Sequence, residues 1–157
     1  MLFTIKYTGK VLNVILLSDN EEVIGYLQAE QTESLIYTVC LSVVDNIGKG
    51  DGQTLYKIAM MWCFENGFYL SASEELNTNS TKLWERLTGL EGIQQHKKEL
   101  IPSFDVPLSF IPDDHFCFYG YNLPTTIDYY VNKIYCPEVD QMIKQGMKLY
   151  YDKINLK

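Results

Sequence analysis

Over its first 44 residues the chain alternates apolar with polar positions or groups apolar ones in short blocks, and helical spacing begins only after Gly52. Leu2 to Tyr7 and Val11 to Leu17 are rich in β-branched and apolar residues, with Thr8, Gly9 and Lys10 as a turn between them. Ser18-Asp19-Asn20-Glu21 is a second turn signal. Val23 to Ala29 alternates, Gln31 to Ser34 is polar, and Leu35 to Val44 is apolar on both faces. The pattern predicts an antiparallel meander of three or four strands, the last central and buried on both sides. Next come glycines at alternate positions, Gly48, Gly50 and Gly52, and a helix with Leu55, Ile58, Ala59 and Trp62 on one face. Met61, Cys63 and Phe64 make that helix apolar nearly all round, so a second cover is expected, from the C-terminal region or from a partner chain. Asn66-Gly67 stops it, and Phe68 to Ser73 reads as a half-buried strand. Strand, helix, strand in this order is a crossover unit, which makes the two strands parallel.

A second helix comes after the polar stretch Glu74 to Asn79, with Leu83, Trp84 and Leu87 on its inner face and Gly89 and Gly92 at its end. Glu91 to Leu100 is polar and carries no clear period. Phe104 to Ile111 and Phe116 to Tyr121 are expected strands, separated by the turn Pro112-Asp113-Asp114. Ile127, Tyr130, Val131 and Ile134 predict a short helix, and Pro137-Glu138 open a last one carrying Val139, Met142, Ile143 and Tyr150 on one face. The fold class is therefore α/β, with a mixed, mostly antiparallel sheet. A single domain over residues 1–157 is expected, its core spanning about residues 11–90 and its C-terminal part, about 91–157, completing the sheet and adding two helices.

A net charge of −7 disfavours a nucleic-acid partner and suits an amine or a basic protein patch as well as plain solubility. Four cysteines, Cys40, Cys63, Cys117 and Cys136, form no CxxC pair, and the expectation is reduced, buried thiols without a disulfide frame or zinc site. His96 and His115 show no metal-ligand spacing, so no metal is expected. The N-terminus lacks a signal-peptide core and no apolar run is long enough for a membrane; a cytoplasmic protein is expected.

The chemistry centres on Val43 to Asn66. A strand that ends in a glycine-rich turn and opens a helix is a phosphate cradle, because glycine backbone approaches an anion closely and the helix start carries unpaired amides and partial positive charge. An anionic ligand such as a diphosphate and a mere tight turn stand here as equal alternatives.

The segment Ile47-Gly48-Lys49-Gly50-Asp51-Gly52 and its apolar flanks resemble the acyl-CoA-binding motif of the GNAT superfamily of N-acyltransferases, of the form [RQ]xxGx[GA], with the glycine positions matched at Gly50 and Gly52. The family's second signature is matched by Asn77, Ser80 and Leu83-Trp84-Glu85. The resemblance covers Val23 to Leu90. It implies a GNAT-like sheet with a splayed parallel strand pair flanked by helices. It further implies acetyl-CoA as co-substrate, with its pantetheine arm on backbone groups of Leu41, Ser42 and Val43. The diphosphate would lie on the amides of Gly48, Lys49, Gly50, Asp51, Gly52 and Gln53. Asn77, together with Ser80 and Trp84, would lie beside the arm near the thioester, although Asn77 serves equally as a helix N-cap.

The chain departs from the family at several positions. Ile47 stands where an Arg or Gln is usual, Asp51 places a carboxylate inside the cradle, and Trp84 stands where many members carry a Tyr that protonates the leaving thiolate. No room exists before Val11 for the helices that build part of the family's acceptor site, so the part from Glu91 onward is the candidate wall. The implied reaction is attack of a neutral amine on the thioester. Glu74, Glu75, Ser73 and Tyr69 are candidates to take its proton, although a solvated loop position is the commoner reading for each, and Glu74 and Ser73 are the favoured pair. The acceptor is an amine on a small molecule or a protein, and a homodimer is compatible. The alternative is a GNAT-like protein without catalysis that binds or inhibits another protein; a third is a ligand-free structural domain.

Overall fold

The computed structural model describes residues 2–71, 82–83, 86–87, 93–96, 117–120, 131–133 and 138–155. Strands β1 (Leu2–Thr8), β2 (Val11–Leu17), β3 (Val23–Glu33) and β4 (Ile36–Val44) form the expected antiparallel meander. β3 runs past Ala29 to Glu33, into the polar stretch that begins at Gln31. Ladder bonds need no apolar side chain: Gln31 pairs with Tyr37 and Glu33 with Ile36, and the Thr32 and Thr38 hydroxyls meet at 2.8 Å. Helix α1 (Asp51–Glu65) then leads to β5 (Tyr69–Ser71), which lies parallel to β4 in the register Ile36↔Tyr69 to Thr38↔Ser71. The Asn66-Gly67 stop closes α1, with the Phe68 amide donating to the Cys63 carbonyl at 2.7 Å. Residues 82–83 and 86–87 are helical, within the span expected of the second helix.

The C-terminal part adds β6 (Ile93–His96), β7 (Cys117–Gly120), β8 (Val131–Lys133) and α2 (Val139–Asn155). The sheet has eight strands in the order β6-β7-β5-β4-β3-β2-β1-β8. β6 occupies the segment without a clear period, and β7 lies within the expected strand Phe116 to Tyr121. The short helix expected around Val131 is corrected, because Val131–Lys133 is a strand parallel to β1. The free edge of β1 offers backbone partners, and that pairing outweighs a weak local helical spacing. The strand expected at Phe104 to Ile111 lies outside the described residues.

Two apolar layers enclose the sheet. Leu12, Val14 and Leu16 of β2 and Leu27 and Ala29 of β3 pack with Leu55, Tyr56, Ile58, Ala59, Met60 and Cys63 of α1. Ile15 and Leu17 of β2 and Tyr26 of β3 pack with Met142 of α2. The period of two along β2 assigns these sets to opposite faces. Trp62 sits among Tyr7, Tyr37 and Phe68, at ring-centroid distances of 5.2, 5.3 and 6.0 Å, and β7 also borders α1, so α1 gains cover from within the chain. α2 covers the face of the sheet opposite α1. It comes very near the sheet at Gly146, where an added Cβ would stand 2.6 Å from Tyr26 Cγ. The architecture is the mixed, mostly antiparallel sheet flanked by helices that the sequence predicts, with β4 and β5 parallel as expected of the crossover unit.

Candidate functional site

The site is built on the second half of β4. Ile36, Tyr37 and Val39 are buried, whereas Cys40 is exposed and Leu41 to Val44 are half-buried. β5 is described as far as Ser71, which pairs with Thr38, so Leu41, Ser42 and Val43 lie beyond the described part of this pairing. The expectation that β4 is buried on both sides holds only for its first half. Between the two halves lies a β-bulge: Gln28 pairs with Leu41 and Ala29 with Val39, leaving Cys40 as the extra residue. One extra residue reverses the facing of the rest of the strand. Leu41 and Val43 turn to the α2 face, while Ser42 turns under α1, where its hydroxyl lies 3.2 Å from that of Tyr56. Burial raises the Tyr56 phenol pKa above its ordinary value, so it stays protonated and orients Ser42.

Cys40 corrects a second expectation, that the thiols are buried. Cys63 is, but Cys40 is exposed. Its pKa is pushed up to about 11 by partial burial and then by the neighbouring Glu30 carboxylate. A thiol so poorly ionised is a weak nucleophile at neutral pH.

After β4 the chain turns through Asp45 to Gly50. The Asp45 amide donates to the Ile24 carbonyl at 2.8 Å. The Asp45 carbonyl accepts from Lys153 Nζ at 2.7 Å, which ties the last turn of α2 to this loop. Gly48 and Gly50 take φ of 93° and 85°, a left-handed backbone that disfavours side chains, and nothing lies within 4 Å of where a Cβ would stand. The Gly50 carbonyl accepts from the Thr54 amide at 3.0 Å and the Thr54 hydroxyl at 3.1 Å, so Gly50 opens α1. The amides of Asp51, Gly52 and Gln53 lie in the first turn, where no intrahelical acceptor exists. A Cβ on Gly52 would stand 3.9 Å from both Val44 Cγ1 and Leu83 Cδ2. Gly52 thus lies where the end of β4 meets the helical turn at 82–83. Ile47 at the loop tip is 74 % exposed.

A cavity of about 480 Å³ adjoins this loop, lined by Ser18, Asp19, Ile24, Asn46, Lys49 and Asp51. Asp51 is only 7 % exposed. Burial raises its carboxyl pKa, and the Lys49 ammonium pulls it part of the way back. The carboxylate does not stand alone in the turn: it is withdrawn to the side of the β2–β3 connection, with Lys49 lining the same cavity.

The structure thus brings Leu41, Ser42, Val43, Gly48, Lys49, Gly50, Asp51, Gly52 and Gln53 into one continuous strip from β4 to α1. Tyr69 is placed at the start of β5, opposite Ile36 and away from Leu41 to Val43. Ser73, Glu74, Glu75, Asn77, Ser80 and Trp84, and with them His115, lie outside the described residues. Sequence reasoning missed the bulge at Cys40, the Tyr56–Ser42 contact and Lys153. A basic residue in the last turn of a helix is a signal of dipole complementarity, but its contact 108 residues away is not. Among the described residues no group of three or more His, Cys, Asp or Glu is placed to hold a metal ion, and no helix is long and apolar enough to cross a membrane.

No family model matches the chain, and no curated protein does. Solved structures do resemble it. A GNAT-family acetyltransferase from Staphylococcus aureus is 15% identical, with 70% of this chain and 67% of that chain covered at a TM-score of 0.46. Tetrahymena GCN5 is 15% identical, with 73% and 70% covered at 0.45. A phosphinothricin acetyltransferase from Sinorhizobium meliloti, in complex with AcCoA, is 20% identical, with 69% and 58% covered at 0.45. These likenesses concern the path of the chain and not its chemistry.

Proposed function

We propose that the chain is an acyl-CoA-dependent N-acyltransferase that moves an acetyl group from acetyl-CoA to an amine. The observation that carries this reading is the continuity of the strip. The second half of β4 runs through a loop with two left-handed glycines into the first turn of α1, whose amides have no intrahelical acceptor. An extended arm that pairs with backbone, joined to a diphosphate that accepts from helix-start amides, has the complementary shape and charge. In this reading the backbone of Leu41 to Val43 holds the pantetheine arm, and the amides from Gly48 to Gln53 hold the diphosphate. Tyr56 orients Ser42 beside the arm. The amine attacks the thioester carbonyl, the C–N bond forms as the C–S bond breaks, and thiolate leaves with CoA. The acceptor proton passes to a base near the end of β5, for which Glu74 and Ser73 remain the candidates. α2, on the face opposite α1, forms part of the acceptor wall.

Calorimetric titration with acetyl-CoA tests the reading. Micromolar binding is expected, and then CoA release when an amine library is added. Absence of heat and of any thermal shift at millimolar ligand overturns it. A second reading, a non-catalytic GNAT-like protein that binds another protein, is favoured by Ile47. Ile47, 74 % exposed at the tip of the loop, offers a phosphate no side-chain donor. That reading expects acetyl-CoA binding without turnover, or none at all.

A further inference from the structure

Past Tyr26, β3 presents Gln28 and then Glu30 on the face that α2 covers, because residues two apart share a face of a strand. α2 crosses that face obliquely: Asp140 is paired with Lys6 on β1, Gly146 lies against the Tyr26 ring on β3, and Lys153 reaches Asp45 beyond β4. Gln28 and Glu30 therefore lie to one side of the helix, the first half-buried and the second exposed. Gln28 Nε2 donates to the Tyr26 hydroxyl at 3.2 Å and to Asn13 Oδ1 at 3.4 Å, and the Tyr26 hydroxyl donates to the same Asn13 oxygen at 2.5 Å. With its amide nitrogen held inward, Gln28 turns Oε1 outward as an acceptor. Glu30 adds a carboxylate two residues on, beside Cys40, whose thiol it helps to keep protonated. Lys6, in the row Lys6–Asn13–Gln28 across the sheet, has its ammonium engaged by Asp140. This corner thus offers a cation a carboxylate and a fixed carbonyl, and the ammonium in its row is already neutralised.

Strand register fixes where the corner stands relative to the arm. Gln28 is opposite Leu41 and Glu30 opposite Thr38, with the bulged Cys40 between the two levels. In the acyl-CoA reading the arm leaves the diphosphate at Gly48 to Gln53 and runs back along β4 through Val43 to Leu41, so its thioester end comes level with Cys40. From there Glu30 is one strand across, about 4.8 Å, and about two residues along at about 3.3 Å each. A carboxylate at that place reaches a second cation held a few carbons from the reacting amine. We propose that Glu30, together with Gln28 Oε1, anchors a second ammonium of the acceptor, which makes the acceptor an aliphatic diamine with one end at the thioester and the other on β3. The proposal rests on the acyl-CoA reading and makes Glu30 a specificity-determining residue. The net charge of −7 draws a dication in the same direction.

The test uses the full chain and three amines: putrescine, cadaverine and butylamine, which lacks the second ammonium. Calorimetry reads acetyl-CoA binding and then diamine binding to the CoA-loaded chain, and CoA release is followed with each amine. One of the diamines is expected to exceed butylamine in kcat/KM by at least about tenfold, the gain from a hydrogen bond to a charged group. Glu30→Gln keeps the side-chain length and removes the charge. It is expected to abolish the diamine preference through a rise in KM, with acetyl-CoA affinity kept. Equal kcat/KM for the diamines and butylamine on the unaltered chain overturns the anchor and leaves the acyl-CoA reading standing. So does a diamine preference that survives Glu30→Gln, and so does a chain that binds acetyl-CoA but neither binds nor acetylates a diamine. If acetyl-CoA itself does not bind, the acyl-CoA reading and the anchor fall together. Because the amines discriminate on the unaltered chain, the outcome does not depend on Glu30→Gln folding.

Discussion

Gly52→Glu separates the anion cradle from a tight turn. Gly52 sits in the first turn of α1 without a left-handed φ, and its added Cβ meets Val44 and Leu83 at an ordinary 3.9 Å. The fold therefore accommodates the side chain. Replacing glycine inside a helix stabilises by about 0.5–1 kcal/mol. A carboxylate in the first turn adds about 0.3–1 kcal/mol through the helix dipole. Melting temperature is expected to rise. Ligand binding is expected to move the other way, because the new charge lies beside the amides assigned to the diphosphate. One charge pair at about 4 Å in an effective dielectric of about 20 repels by about 4 kcal/mol. Salt screening and a side chain free to swing away cut this to about 2 kcal/mol, which is about a thirtyfold loss of affinity. Thermal melting read beside calorimetry with acetyl-CoA checks both signs. A variant that melts higher and binds acetyl-CoA as tightly as the unaltered chain refutes the cradle, since the charge then has no anion to repel.

Contacts elsewhere set three further outcomes. Gly146→Ala forces a Cβ to 2.6 Å from the Tyr26 ring, so α2 must lift from the sheet; a net loss of about 1–3 kcal/mol in urea unfolding is expected despite the better helix former. Lys153→Met removes the 2.7 Å bond to the Asp45 carbonyl. A net change of about 0.5–1.5 kcal/mol is expected, felt mainly in the loop, so hydrogen exchange at residues 46–50 should speed up while global unfolding barely moves. Cys40 alkylation by iodoacetamide is expected to rise about tenfold per pH unit up to pH about 10, because only the thiolate reacts and the thiol pKa lies near 11. A rate that levels off by pH 9 contradicts the environment assigned to Cys40, and Cys63 should react only on unfolding.

Local pattern determined much of this protein. The β1–β4 meander, the helix after the glycines, the parallel strand behind it and the last helix are each written in neighbouring residues. Apolar period, turn residues and glycine spacing act over a few positions, and the candidate anion site from Gly48 to Gln53 was legible for the same reason. Tertiary structure alone decided what depends on strand partners and distant packing. β3 extended through Gln31 to Glu33 because β4 lay opposite, and Val131–Lys133 became a strand because β1 had a free edge. The bulge at Cys40 has no mark in the apolar run from Leu35 to Val44, since both faces of that run are greasy and either register buries them. Yet that one extra residue put Ser42 beneath Tyr56 and turned Leu41 and Val43 toward α2. The withdrawal of Asp51 into a cavity shared with Ser18, Asp19 and Ile24, and the grip of Lys153 on Asp45, likewise join segments far apart in the chain. Such contacts arise from how the sheet and its two covering helices pack, and no local period encodes them.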